Sequence, residues 1–209
     1  LMVTREPSLT FGIEEEFHLV DCRTRDLAVA PRTLLDALHK RIGSQVSPEF
    51  LRSQVEIGTK PLSCFKDARR ELSRLRGIVV EVAAQHELAP VASGTHPFAQ
   101  PSDIERTDKE RYKELDRELA GAIRGLAACG MHVHAGIEDE DLRIDLMNQV
   151  RYFLPHLLAL STSSPFWRGF ETGLKSYRAT VLRRLPRSGA RARRPRRLAC
   201  RHQALRSQV

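Results

Sequence analysis

The hydrophobic and polar positions divide the chain into stretches of period two and stretches of helical period. Thr10–Asp21, "TFGIEEEFHLVD", alternates as a strand: Phe11, Ile13, Glu15, Phe17 and Leu19 share one face, and Gly12, Glu14, Glu16, His18 and Val20 the other. Gln54–Thr59, Pro90–Thr95 and Met131–Ile137 read as further strands, several bounded by Gly or Pro. Helical spacing marks Lys66–Leu88, where Leu72, Leu75, Val79 and Val82 recur at steps of three and four. Thr107–Glu110 offers a capping box for a second helix with the stripe Tyr112, Leu115, Leu119, Ile123 and Leu126. A third runs from about Asp141 to Ser161 with Leu142, Leu146, Val150, Phe153, Leu157 and Leu158 on one side and Pro155 as a kink. Such stripes are most simply core contacts. The expected fold is therefore α+β, an antiparallel sheet covered on one face by helices.

Charge on the strands adds chemistry to this frame. Glu14 and Glu16 lie on one face, roughly 7 Å apart along the strand, and two such anions raise each other's pKa unless a cation lies between them. In "QVEIGT", Val55 and Ile57 face one way and Gln54, Glu56 and Gly58 the other. In "CGMHVHAG", His132, His134 and Gly136 oppose Met131, Val133 and Ala135. A solvated polar face explains any one of these strands. As neighbours in one sheet they would form a floor of carboxylates and imidazoles, a donor set that suits Mg²⁺ or Mn²⁺ better than a structural zinc. "SGTHPF" places Thr95 and His96 at a strand end, and "SSPFWRGFETGLKSYR" carries Arg168, Lys175 and Arg178, with arginine suited to carboxylate or phosphate. There is no G-x-x-x-x-G-K-[ST] or G-x-G-x-x-G loop, so a nucleotide is not held in either of those ways.

Composition narrows the class. The chain has 209 residues, 41% hydrophobic and 29% charged, which is the soluble globular range, and no run reaches the ~20 apolar residues of a membrane span. Cys22, Cys64, Cys129 and Cys200 form no ligand spacing and read as reduced thiols of a cytoplasmic protein. The formal charge of +8 is uneven: residues 183–209 hold ten of the 34 basic side chains and none of the 26 acidic ones, which leaves the rest slightly acidic. A nucleic-acid-binding arm is one reading of that tail. The abrupt Arg/Ala/Pro bias favours an out-of-frame or truncated, disordered end, with residues 1–182 as the folded part.

Six motifs, "FGIEEEF", "VEIGTKP", "GTHPFA", "ERYKEL", "GMHVHAG" and "SSPFWRGFETGLKSYR", together resemble the type 2 glutamate–cysteine ligases, or carboxylate–amine ligases, of the glutamine synthetase-like superfamily. The resemblance implies a glutamine synthetase-like catalytic fold. It also implies an ATP-dependent reaction in which the side-chain carboxylate of L-glutamate is phosphorylated and then joined to an amine, typically that of L-cysteine. By the same resemblance Glu14, Glu16, Glu56 and His132 are metal ligands for Mg²⁺ or Mn²⁺. His134 contacts nucleotide phosphate; Thr95 and His96, read from their place at a strand end, are added as cofactor-binding candidates. Arg178 is the catalytic arginine that holds the glutamyl group or its phosphate. Family members are longer, and their second half supplies a Glu-x-Arg strand, so the sheet is expected to be incomplete at the C-terminus and the chain poorly stable and weakly active or inactive. A homodimer is allowed. The competing expectations are a metal-dependent hydrolase, in which the same carboxylates and imidazoles activate water, and a nucleic-acid binder that uses the basic tail.

Overall fold

The computed structural model describes residues 9–100, 105–108 and 127–182. Strand β1 (Thr10–Asp21) is the axis of the sheet, as its twelve-residue alternation requires. On one edge it pairs antiparallel with β3 (Gln54–Gly58), which in turn pairs with the short β2 (Val46–Pro48). On its other edge two strands follow end to end, β5 (Met131–Gly136) along Thr10–Glu15 and β4 (Leu88–Val91) along His18–Asp21. Every strand pairing in this sheet is antiparallel, as expected.

Helices α1 (Arg32–Ile42) and α2 (Phe65–Ala84) cover one face. Their Leu34, Leu38, Leu75, Val79 and Val82 bury against Phe17, Leu19, Val55 and Ile57. Leu75 is fully buried at the centre of this contact, so Leu75→Ala is expected to cost about 3 kcal/mol in urea unfolding through lost transfer energy and a residual cavity. Helix α1 was not among the expected elements, although Leu34, Leu38 and Ile42 stand four apart and Gly43, at φ 58°, ends it. The strand expected over Pro90–Thr95 is shorter and earlier: β4 ends at Val91, and Thr95 makes a lone bridge to Ala128.

The third expected helix is broken. α3 (Glu140–Val150) gives way to a single 3₁₀ turn at Arg151–Phe153 before α4 (Leu154–Leu160), which carries Pro155 in its first turn, where a missing N–H costs nothing. Its stripe is not a core contact here: Leu142 and Leu146 are half-buried, and Val150, Phe153, Leu157 and Leu158 are exposed. Likewise Met131 and Val133, the apolar side of β5, are 60% and 64% exposed, so among the described residues the helical cover stops short of this strand. The helix expected after Thr107 falls, beyond Asp108, outside the described residues, as does the tail from 183. A two-stranded hairpin, β6 (Phe166–Trp167) and β7 (Phe170–Glu171), and the short helix α5 (Arg178–Leu182) complete the described chain. No described helix is long and apolar enough to cross a membrane.

Candidate active site

Register brings the three polar strand faces together. Glu14 of β1 stands between Gly58 of β3 and His132 of β5, Glu16 stands opposite Glu56, and Gly12 stands opposite His134. Glu14 Oε2 accepts hydrogen bonds from His134 Nε2 at 2.9 Å and His132 Nδ1 at 3.3 Å. Ligand atoms of Glu14, Glu56 and His132 lie within 4.8 Å of one another. Oxygens on opposite sides of a Mg²⁺ are about 4 Å apart, so one cation can reach all three with small side-chain movements.

A second group overlaps the first. Glu16, Glu49 and Glu56 also bring their oxygens within 4.8 Å, with Glu56 common to both groups. Glu49 carries no periodic signal, because it lies just past β2, outside any alternating stretch. The hairpin register that sets Ser47 against Glu56, with Ser47 Oγ donating to Glu56 Oε1 at 2.9 Å, carries Glu49 toward the floor.

The electrostatics are those of crowded carboxylates, two of them raised and one held down by its imidazole partners. Hydrogen bonding from His134 holds the Glu14 carboxyl below its ordinary pKa. Burial pushes Glu16 and Glu56 above the ordinary carboxylate value, and the nearby Glu49 carboxylate adds to both shifts. Three carboxylates around a shared position, with an imidazole beside them, are a hard donor set that fits Mg²⁺ or Mn²⁺, and a cation there would offset this repulsion.

The middle glutamate of the triple plays a different part. Glu15 points to the helical side and is almost fully buried, where Arg76 of α2 meets it with a fork of two bonds, Nε to Oε2 at 2.7 Å and Nη2 to Oε1 at 2.5 Å. Arg76→Ala is expected to cost roughly 2–3 kcal/mol in chemical denaturation. It leaves a buried carboxylate unpaired, and the half-exposed position of Arg76 keeps the loss below that of a fully buried pair. Arg76→Lys should recover only part of it, since an ammonium cannot reproduce the fork.

Between β4 and β5 the edge of β1 is bridged by loop backbone. Glu16 N donates to Gly130 O at 3.0 Å, and Gly130 N returns a bond to Glu16 Oε2 at 2.7 Å. A cavity of about 330 Å³ opens at this gap, lined by Glu16, Ser93, Gly94, Gly130, Ser163 and Arg178 among others. Arg178 Nε is buried there without a hydrogen-bond partner among the described residues. Of the basic residues in its motif, only Arg178 lines this cavity: Arg168 stacks over Trp167 in the β6–β7 turn, and Lys175 is exposed. A second groove of about 480 Å³ runs beside Glu14, Glu56, Lys60 and His134.

Thr95 and His96 are not brought to either space. Thr95 Oγ1 donates to Phe166 O at 3.1 Å, His96 Nε2 meets Arg25 O at 2.9 Å, and His96 Nδ1 accepts from Ala99 N at 3.0 Å, so both buried side chains are engaged in holding loops. Cys129, beside the cavity, is a buried thiol whose pKa burial drives well up, and Gln54 Nε2 approaches its sulfur at 3.1 Å. It is poorly suited to act as a nucleophile.

Comparison with known proteins identifies the family. The family model for glutamate–cysteine ligase family 2 matches residues 10–206. A Rhodospirillum rubrum protein with the provisional name glutamate–cysteine ligase 2 is 53% identical over 190 residues, 88% of this chain and 49% of its own length. A Jannaschia relative of the same provisional name is 52% identical over 180 residues, 86% of this chain and 48% of its own. The chain thus spans about half the length of the curated relatives it matches. Among solved structures, a Francisella tularensis glutamate–cysteine ligase in complex with AMP aligns with TM-score 0.61 at 22% identity, over 77% of this chain and 36% of that one. A bifunctional glutathione synthetase from Pasteurella multocida aligns with TM-score 0.61 at 16% identity, over 76% and 24%. Both likenesses concern the fold. With the family model matching residues 10–206 and relatives more than 50% identical over most of the chain, this protein belongs to glutamate–cysteine ligase family 2.

Proposed function

We propose that the chain carries the cation floor and part of the substrate site of an ATP-dependent carboxylate–amine ligase that joins the side-chain carboxylate of L-glutamate to an amine, with L-cysteine as the acceptor the relatives' names suggest. The observation that carries this reading is the convergence of Glu14, Glu56 and His132 on one position within 4.8 Å, on three strands that are far apart in sequence. In this reading Glu14, Glu56 and His132 hold one divalent cation, and Glu16, Glu49 and Glu56 hold another. When present, the cations offset the charge of the triphosphate and of the carboxylate that must approach it. His134, released from Glu14, donates to a phosphate oxygen. Arg178 offers its fork to a carboxylate or phosphoryl group in the cavity beside Glu16. The glutamate oxygen takes the terminal phosphoryl group of ATP with loss of ADP, and the amine then displaces phosphate from the acyl carbon. Thr95 and His96 serve by fixing the loops that frame the cavity.

The chain spans about half the length of these relatives, so the reaction is proposed for the protein that carries this part. The test is ADP release from ATP and Mg²⁺ with L-glutamate, with and without L-cysteine. ADP formation that requires glutamate and rises with the amine supports the ligase. ATP-independent hydrolysis that prefers zinc would replace it with the hydrolase reading.

A further inference from the structure

Gly94 and Gly130 flank the aliphatic and guanidinium parts of Arg178. A Cβ built on Gly130 would lie 2.8 Å from Arg178 Nη2 and 3.5 Å from His132 Nε2. One built on Gly94 would lie 3.1 Å from Arg178 Cδ and 3.1 Å from Ser163 Oγ. Neither residue is among those with left-handed backbone, a set limited among the described glycines to Gly43, Gly169 and Gly173. The backbone therefore does not demand glycine at positions 94 and 130; a methyl group at either would instead press on Arg178, whose flexible end must then shift, and at position 94 on Ser163 as well. The two loops are tied to each other, Cys129 N donating to Gly94 O at 3.2 Å, and the helix end that carries the arginine is tied to Ser164, whose Oγ accepts from Arg178 N at 3.0 Å. The guanidinium thus enters through a walled gap beside the cavity lined by Ser93, Ser161 and Ser163.

We propose that Gly94 and Gly130 form a slot that positions the Arg178 guanidinium between the serine-lined cavity and the cation floor, and that this slot sets the affinity for an oxyanion, the carboxylate of an amino acid or a phosphoryl group. The inference rests on the reading of Arg178 as an anion-binding group. A methyl group on either wall pushes the fork out of line, and a displacement of about 1 Å can cost up to ~100-fold where two parallel bonds are needed. Gly94 and Gly130 are positioning residues; Arg178 is the group that touches the ligand.

The experiment is calorimetric titration of the full chain, loaded with Mn²⁺, with L-glutamate and separately with inorganic phosphate. Gly94→Ala, Gly130→Ala, Arg178→Lys and the double variant Gly130→Ala/Arg178→Lys are compared with wild type. Thermal melts report folding, and Mn²⁺ affinity of Gly94→Ala reports the floor, which Gly94 does not touch. The expected result is a tenfold or greater loss of anion affinity in each glycine variant with folding retained, unchanged Mn²⁺ affinity in Gly94→Ala, and no further loss of anion affinity from Gly130→Ala once Arg178 is lysine, which lacks the Nη2 that the methyl group would meet. Which anion loses affinity identifies the ligand. Unchanged affinity in the glycine variants overturns the slot, as does a loss from Gly130→Ala that persists in the lysine background. A wild-type chain that holds Mn²⁺ but neither anion overturns the reading of Arg178 itself, and the slot with it.

Discussion

Glu14→Gln is expected to weaken Mn²⁺ binding by about 100-fold or more, read by calorimetry or by the electron paramagnetic signal of free Mn²⁺. The substitution removes the charge of the carboxylate on which His132 and His134 both converge and which faces Glu56 across the floor. Its chain neighbour supplies the contrast. Glu15→Gln changes the same charge one residue away, but on the helical side, where the partner is Arg76, so Mn²⁺ affinity should stay within about twofold of wild type while stability falls. Equal loss in the two variants would mean that net charge, and not the floor, attracts the cation.

The second large effect is acid lability centred on His18. This imidazole is fully buried on the floor side of β1, neither ring nitrogen has a hydrogen-bond partner among the described residues, and the His96 ring stands edge-on at 6.3 Å. Burial, helped by His96, pushes its pKa down to about 3. An unfolded histidine titrates near 6.5, so between these values the unfolded chain takes up a proton that the native state refuses. The contribution is fully present above about pH 6.5 and is lost as pH falls toward 3, at roughly 1.4 kcal/mol per pH unit. Glu71, held down to about 2 by Arg74, adds a loss of the same sign only below its ordinary value of 4.5. The raised carboxyls of Glu16 and Glu56 act oppositely near pH 5, because the native state binds their protons more readily. Denaturation midpoints from pH 7 to 4.5 in wild type and His18→Leu isolate the histidine: the variant should lose most of the slope. An unchanged slope would assign the acid lability to other groups.

How much of this was legible in the sequence depends on the range of the interactions. Period-two alternation gave the bounds of β1 and nearly those of β3 and β5, because a strand with one buried face cannot slip by a residue without inverting it. It also put Glu14, Glu16, Glu56 and the two histidines on polar faces, and pairing then made them neighbours. Alternation does not reveal what covers a face. His18 shares its side with Glu14 and Glu16 yet is sealed from solvent, and Glu15 sits on the apolar side because Arg76, sixty-one residues later, reaches it. Glu49 and the engagement of Thr95 and His96 with loop backbone depend on irregular segments whose paths no periodicity encodes. The helix α1 had a readable signal in Leu34, Leu38 and Ile42 followed by Gly43, but it is short. The opposite error is the stripe from Leu142 to Leu158: an amphipathic pattern records a face to be covered, and in this chain much of that face remains exposed.

The most direct measurement is a Mn²⁺ titration followed by paramagnetic broadening of the histidine ring signals. The account predicts that His132 and His134 broaden first, at substoichiometric metal, while His39 and His86, on the covering helix α1 and just past α2, remain sharp. Broadening that reaches all of these rings together, or that spares His132 and His134, would contradict a cation centre on this floor.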